Sequence, residues 1–166
     1  MEEIFSEPDK ELLTDFLKRR AVFDTYIANK NLKIYTCPGC GYPTNKTKAE
    51  YDICVLCDWE DDGTDDKVKS LFYDFLSTNK ISGPNRISPT ENRLKISKVL
   101  FELANKSNGQ LTENPKQVLA IIQKAKKCLK QVYKSIPSTA TQSHIGWEEA
   151  RNVKQDLLKE LITTNT

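Results

Sequence analysis

The sequence has little of several residue types on which common protein chemistries depend. It holds one histidine in 166 residues, and no nucleophile with a convincing base can be assembled around it, so a catalytic triad is not predicted. No apolar run approaches the roughly 18 residues that a membrane-spanning helix needs. The chain opens MEEIF, without the basic and then apolar start of a secretory signal. We therefore expect a cytoplasmic protein that is not an enzyme and does not enter a membrane.

Cysteine is also scarce, and its placement is informative. Five cysteines are few for a disulfide scaffold, and an odd number would leave one thiol unpaired. Four of them form two C-x2-C pairs, Cys37 with Cys40 and Cys54 with Cys57, separated by thirteen residues. Two such pairs in a reducing cytosol predict one metal site. The fifth, Cys128, falls on the apolar face of a predicted helix and is expected to be a buried small hydrophobe.

The first cysteine pair has the form of a zinc knuckle, CPGCG at residues 37–41. Proline sets a rigid turn, and the glycines allow backbone N–H groups to turn toward the thiolate sulfurs. Four cysteines complete a tetrahedron and leave no open position for water or substrate, so the expected cofactor is a structural Zn²⁺ ion. Iron in a rubredoxin-like site and a redox-active dithiol are the alternatives.

Helical periodicity predicts five helices. The first has its N-cap at Ser6 and ends at Asn31, and the third opens on a capping box at residues 88–91. The others are expected from Val68 to Leu76, from Asn114 to just before Pro137, and from near Trp147 to Leu161, after which ITTNT is expected to fray. Short alternating runs at residues 32–36 and 51–53 predict two strands that lead to the cysteines.

Charge is distributed unevenly along the chain. Residues 49–66 hold eight acidic residues and no basic one, whereas residues 67–112 hold eight basic residues against three acidic ones. In the acidic block, an aromatic residue ringed by carboxylates has a typical interface composition. The candidate partner-binding residues are Asp58, Trp59, Glu60, Asp61 and Asp62. There are two alternative interpretations. In one the block is a solvated loop whose last members, Asp65 and Asp66, cap a helix, and in the other Trp59 packs inward beneath the knuckle while the carboxylates face out.

Residues 35–63, YTCPGCGYPTNKTKAEYDICVLCDWEDDG, resemble the cysteine-rich CPCC family of small bacterial proteins. That pattern runs roughly CPCCGY and then YEIC-x2-C-x-WEDDG. The resemblance continues in Gly83-Pro84-Asn85 and in SPTENR at residues 88–93, which are similar to the family's GPN and S-x2-EAR segments, and it covers about residues 35 to 100. One departure is clear, because the family's second cysteine is Gly39 here. The resemblance implies a zinc ribbon and little about function.

These observations together predict a fold that is mainly α with a small β zinc ribbon. We expect a two-strand zinc-ribbon module packed on a helical bundle of about four to five helices. The expected domains are an N-terminal helix at 1–30, a CPCC-like zinc ribbon at 31–66 and a helical domain at 67–166.

The acidic block favours a protein partner over nucleic acid. A carboxylate-rich face repels nucleic acid and complements the basic groove of a nuclease, so with the CPCC resemblance the sequence suggests an immunity-type inhibitor of a cognate bacterial toxin with a basic surface. The alternative is a zinc-ribbon protein that binds nucleic acid or regulates through its basic helical half. A metalloenzyme is the least favoured class, because a closed tetrathiolate offers no reactive position.

Overall fold

The computed structural model describes residues 6–63, 87–135 and 143–164, and this part of the chain is mainly helical. Its four helices are α1 (Glu7–Lys30), α2 (Pro89–Lys106), α3 (Pro115–Ser135) and α4 (Ser143–Glu160). A small antiparallel sheet pairs β1 (Gly109–Leu111) with β2 (Ile162–Thr164). The mainly α prediction is confirmed, whereas the helix predicted from Val68 to Leu76 and the GPN segment lie outside the described residues.

The ends of α1 and α2 follow from their capping residues. Ser6 accepts the backbone N–H of Asp9 at the start of α1, and Asn31 ends the helix in the left-handed conformation, with φ 53°. Ser88 Oγ accepts the N–H of Glu91 at 3.1 Å at the start of α2. Both predicted N-caps are therefore confirmed, and they fix where each helix begins relative to the cysteine segments.

The two strands predicted beside the cysteines are shorter than expected. In the described residues each is reduced to a single antiparallel bridge, Tyr35 with Asn45 and Ile53 with Glu60. The physical reason is that each C-x2-C turn reverses the chain at once, so few residues on either side are left to pair. The two-strand sheet forms elsewhere in the chain, where Ile162–Thr164 pairs with Gly109–Leu111. The prediction that the C-terminal ITTNT frays was therefore wrong for residues 162–164, whose β-branched side chains suit a strand.

The chain divides into two compact units, Met1–Glu102 and Leu103–Thr166; the three predicted domain ranges stay a prediction. The buried apolar side chains of the first unit include Phe16, Phe23, Tyr42, Leu56 and Trp59, and those of the second include Ala104, Val118, Ile122, Ala125, Leu157 and Leu161. Cys128 is half-buried on α3, rather than fully buried as predicted. Within the described residues, none of the helices combines the length and apolarity required to cross a membrane.

Candidate metal centre

Both C-x2-C segments fold into the same tight turn. In the first, Cys37 N–H donates to the carbonyl of Tyr42 at 2.8 Å, and Gly41 N–H donates back to the carbonyl of Cys37 at 2.8 Å. In the second, Cys54 N–H donates to Trp59 at 2.9 Å, and Asp58 N–H donates to Cys54 at 3.0 Å. The residue after each pair is left-handed, with φ 81° at Gly41 and 65° at Asp58. Glycine and aspartate are among the residues that tolerate this conformation.

The two turns bring four sulfur atoms together. The Sγ atoms of Cys37, Cys40, Cys54 and Cys57 all lie within 4.8 Å of one another. Across the turns, Cys37 and Cys57 are 3.6 Å apart and Cys40 and Cys54 are 3.7 Å apart. Four ligands at the usual Zn–S distance of about 2.3 Å would place their sulfurs about 3.8 Å apart. The four cysteines therefore fit one tetrahedral metal ion.

Donor groups around the sulfurs would stabilise thiolates. Gly39 N–H donates to Cys37 Sγ at 3.3 Å, and Leu56 N–H donates to Cys54 Sγ at 3.3 Å. The Thr44 hydroxyl, which is fully buried, lies 3.0 Å from Cys54 Sγ and donates to it. Hydrogen bonds of this kind spread the negative charge of a metal-bound thiolate and orient it.

Burial and hydrogen bonding shift the pKa values of the clustered thiols in opposite directions. Burial raises the pKa of the Cys37 and Cys40 thiols well above the ordinary value. Burial also acts to raise the pKa of Cys54, but hydrogen bonds from the other three thiols and from Thr44 outweigh it and hold that pKa well below the ordinary value.

Three consecutive backbone carbonyls of the first turn are held by side chains from two helices. Arg93 of α2 donates to the carbonyl of Pro38 at 2.7 Å, and Asn92 donates to that of Gly39 at 2.9 Å. Arg19 of α1 donates to the carbonyl of Cys40 at 2.9 Å. With these carbonyls held, the Gly39 N–H faces the Cys37 sulfur, and the N–H groups of Cys40 and Gly41 donate to the Cys37 carbonyl. The two guanidinium groups also place positive charge beside a site that carries a net charge of −2 when four thiolates hold a divalent ion.

A buried aromatic cluster supports the same turn from α1. Phe16 lies under Gly41, where a side-chain Cβ would come within 3.2 Å of its ring. The guanidinium of Arg93 is 4.4 Å from the Phe16 ring centroid, and that of Arg19 is 4.9 Å from the Tyr42 ring centroid. Burial raises the pKa of Tyr42 to about 12, although the charge of Arg19 opposes the shift. The cation–π contacts help to hold both arginines in place.

Helix α1 also fixes the residue that precedes the first cysteine. The Thr36 hydroxyl donates to Asp24 Oδ1 at 2.8 Å and accepts a hydrogen bond from Arg20 Nε at 3.2 Å. With the Arg19 bond to Cys40, α1 thus holds the first turn on both sides. The turn is therefore positioned by tertiary contacts as well as by its own backbone.

The candidate partner-binding residues do not share one environment. Trp59 is 3% exposed, as the inward-packed alternative expected. Asp61 is also 3% exposed, and its carboxylate accepts the N–H of Ala49 at 2.7 Å and of Gly63 at 3.3 Å. Asp58 is exposed, and Glu60 and Asp62 are half-buried. Trp59 and Asp61 therefore pack and brace the loop, whereas the other three residues keep part or most of their surface exposed.

Sequence reasoning missed several residues that hold the centre. Arg19, Asn92, Arg93 and Thr44 touch the first turn or Cys54, yet none was a candidate site residue. For Arg93 a signal was available in the SPTENR segment, which matches the CPCC pattern at this arginine although it lies outside the cysteine region. Asn92 differs from that pattern and carried no such signal. The other two carry no signal in the spacing, since their roles depend on how α1 and residues 41–46 fold back on the cysteines.

Comparison with known protein families finds a match over the segment that contains the four cysteines of the centre. Residues 35–115 match the family model described as cysteine-rich CPCC. This part of the chain is a cysteine-rich CPCC domain. The CPCC domain includes all four clustered cysteines and the α2 residues that hold the first turn, and it extends past residue 100, where the resemblance read from the sequence ended. No curated protein and no solved structure matches the chain.

Proposed function

We propose that the CPCC domain binds one structural Zn²⁺ ion through Cys37, Cys40, Cys54 and Cys57, which makes this segment a zinc ribbon. The sulfur distances carry this assignment, because they match a tetrahedral tetrathiolate. The ion would cross-link two turns, each of which is closed by one antiparallel bridge in the described part of the chain. Metal analysis of freshly purified protein is the test: one zinc per chain is expected, whereas iron, with its visible thiolate absorption, or no metal would contradict the assignment.

We infer further that the chain is not an enzyme and acts by binding another protein. The observation that supports this role is the acidic face of the second turn, defined as Asp58, Glu60 and Asp62. No basic residue occurs from residue 49 to residue 63, and buried Trp59 and Asp61 hold the loop in place. A fixed negative surface complements a basic protein surface and repels nucleic acid.

The kind of partner that fits best is a bacterial toxin with a basic substrate groove, such as a nuclease, with this chain as its cytoplasmic immunity-type inhibitor. The nucleic-acid alternative, through the basic helical half, is weaker. One of its lysines, Lys124, is already paired at 2.7 Å with Glu160, and the cysteine centre itself lies in the acidic part of the sequence.

The test is co-expression with the products of the neighbouring genes, followed by purification at moderate salt. The charge-removing variant Asp58→Asn/Glu60→Gln/Asp62→Asn should weaken the complex, and Asn at residue 58 keeps the left-handed turn. A matched control, Glu102→Gln/Glu148→Gln/Glu149→Gln, removes the same charge from exposed helical positions and should leave binding unchanged. Absence of any complex, or equal loss in both variants, would contradict the proposed acidic-face mechanism.

A further inference from the structure

The second turn carries two large apolar side chains in solvent. Tyr51 is 64% exposed and Ile53 is 61% exposed. Trp59, a few residues along, is 3% exposed. This hairpin therefore has a packed tryptophan and, close to it in the sequence, two apolar side chains that contact water.

Backbone pairing places an acidic side chain directly beside Ile53. Cys54 N–H donates to Trp59 and Asp61 N–H donates to Asp52, so the bridged residues Ile53 and Glu60 form the closely spaced, non-hydrogen-bonded kind of antiparallel pair. Side chains of such a pair lie next to each other on one face. Tyr51 is fixed by its own N–H bond to the carbonyl of Asp61 at 2.8 Å.

The composition of this face is that of a protein interface. Aromatic and large aliphatic anchors are enriched at the centre of interfaces, and charged groups are found at the rim. Here the apolar centre is Tyr51 and Ile53, and exposed Glu50 and Asp58 with half-buried Glu60 supply a negative rim. The matching surface has lysine or arginine side chains around an apolar pocket.

We propose that Tyr51 and Ile53 are the apolar anchors of a docking face for a protein partner with a basic rim and an apolar pocket. This inference rests on the proposed protein-binding function and narrows it. A basic groove that binds only polyanions would have no apolar pocket for these two side chains. Because the turn is held by buried Asp61 and the cysteine cluster, little conformational freedom is lost on binding.

The test uses the zinc-loaded full chain and a phage-displayed library of random twelve-residue peptides, panned at physiological salt. The expected consensus joins lysine or arginine to one large apolar residue. In a nuclear magnetic resonance titration, a synthetic consensus peptide should shift the backbone amide resonances of residues 50–61.

An anchor variant and a matched control test the role of the two apolar side chains. Tyr51→Asn/Ile53→Thr should raise the peptide dissociation constant about tenfold or more, as expected for loss of anchor side chains. Asn suits the left-handed φ of 66° at residue 51. The control Val22→Thr/Tyr133→Gln alters two half-exposed apolar residues on helices α1 and α3 and should change the dissociation constant less than about twofold.

The outcomes distinguish this inference from the function on which it rests. If a basic peptide or a co-expressed partner binds and tolerates Tyr51→Asn/Ile53→Thr but not removal of the acidic face, the anchors are wrong and the acidic-face function stands. If selected peptides lack basic residues, the proposed charge complementarity is wrong. If neither peptides nor a neighbouring gene product bind, both proposals fail.

Discussion

The side-chain amide of Asn92 occupies the space in which a side chain on residue 39 would have to begin. Its Nδ2 atom is 2.5 Å from the position that a Cβ on Gly39 would take, and it donates to the Gly39 carbonyl at 2.9 Å. The Cβ and Cγ atoms of Trp59 lie 2.8 and 2.9 Å from the same position. Residue 39 is therefore restricted to glycine while Asn92 is present.

The contact links the departure at Gly39 to a second difference from the CPCC pattern, at Asn92. In the pattern that the sequence resembles, a cysteine stands at the place of Gly39 and an alanine at the place of Asn92. In this chain the residue in the turn, Gly39, is smaller than in the pattern, and the residue on α2, Asn92, is larger. The four clustered cysteines are complete without a cysteine at residue 39, so the exchange preserves the ligand set.

We predict that Gly39→Cys destabilises the protein by about 1–3 kcal/mol, the usual cost of overpacking. Gly39→Cys/Asn92→Ala should recover part of that loss, because the asparagine amide is removed while the less mobile Trp59 contact stays. Denaturant unfolding of the wild type, both single variants and the double variant measures the coupling. Additive effects would show that the two side chains do not compete for the same space.

A second prediction concerns the buried arginine of α2. Arg93 is 3% exposed and donates to the Pro38 carbonyl at 2.7 Å. Arg93→Gln should lower the free energy of unfolding by about 1.5–3 kcal/mol, as expected for loss of a buried charged hydrogen bond. It should also weaken metal binding, because the first turn loses an anchor. Arg151→Gln, on an exposed position of α4, is the control; an equal effect of both variants would contradict a specific role.

The sequence predicted what depends on local pattern and missed what depends on tertiary contact. The Ser6 and Ser88 caps follow from residue type and spacing, and the cysteine cluster follows from two C-x2-C pairs. The roles of Arg19 and Asp61 could not be read in this way. A charged side chain in a polar run is usually solvent-exposed, and only the folded chain shows that Arg19 reaches Cys40 and that Asp61 closes a loop.

A third prediction concerns removal of the metal. Loss of the ion should separate the turns, expose Trp59 and release α1, whose 24 residues have little stability as an isolated helix in water. In a Trp147→Phe background, addition of a strong chelator should shift tryptophan emission to longer wavelength and reduce the helical circular dichroism signal. Both signals should return when zinc is added back.

Cysteine variants provide the controls for that experiment. Cys40→Ser should give the chelated spectra without chelator and should lower the bound zinc. Cys128→Ser should retain one zinc per chain and the wild-type spectra, because Cys128 is outside the cluster. Unchanged emission and helicity after complete removal of the metal would show that the ion does not hold the fold.

The fourth prediction follows from the acidity of the thiols. Cys37 and Cys40 have pKa values raised by burial, so both hold their protons at neutral pH when no metal is bound. A metal ion binds thiolates, and its binding must release these protons. The apparent affinity should therefore rise with pH and fall as pH is lowered.

Near neutral pH the logarithm of the apparent zinc affinity should rise by about two or more for each pH unit, one for each proton released. Competition with a chromophoric chelator at several pH values measures this slope, and calorimetry in buffers of different ionisation enthalpy counts the protons independently. Thr44→Val should weaken binding without lowering the number of protons released, because it removes the hydroxyl that helps to keep Cys54 deprotonated. A zinc affinity independent of pH would contradict protonated thiols at Cys37 and Cys40.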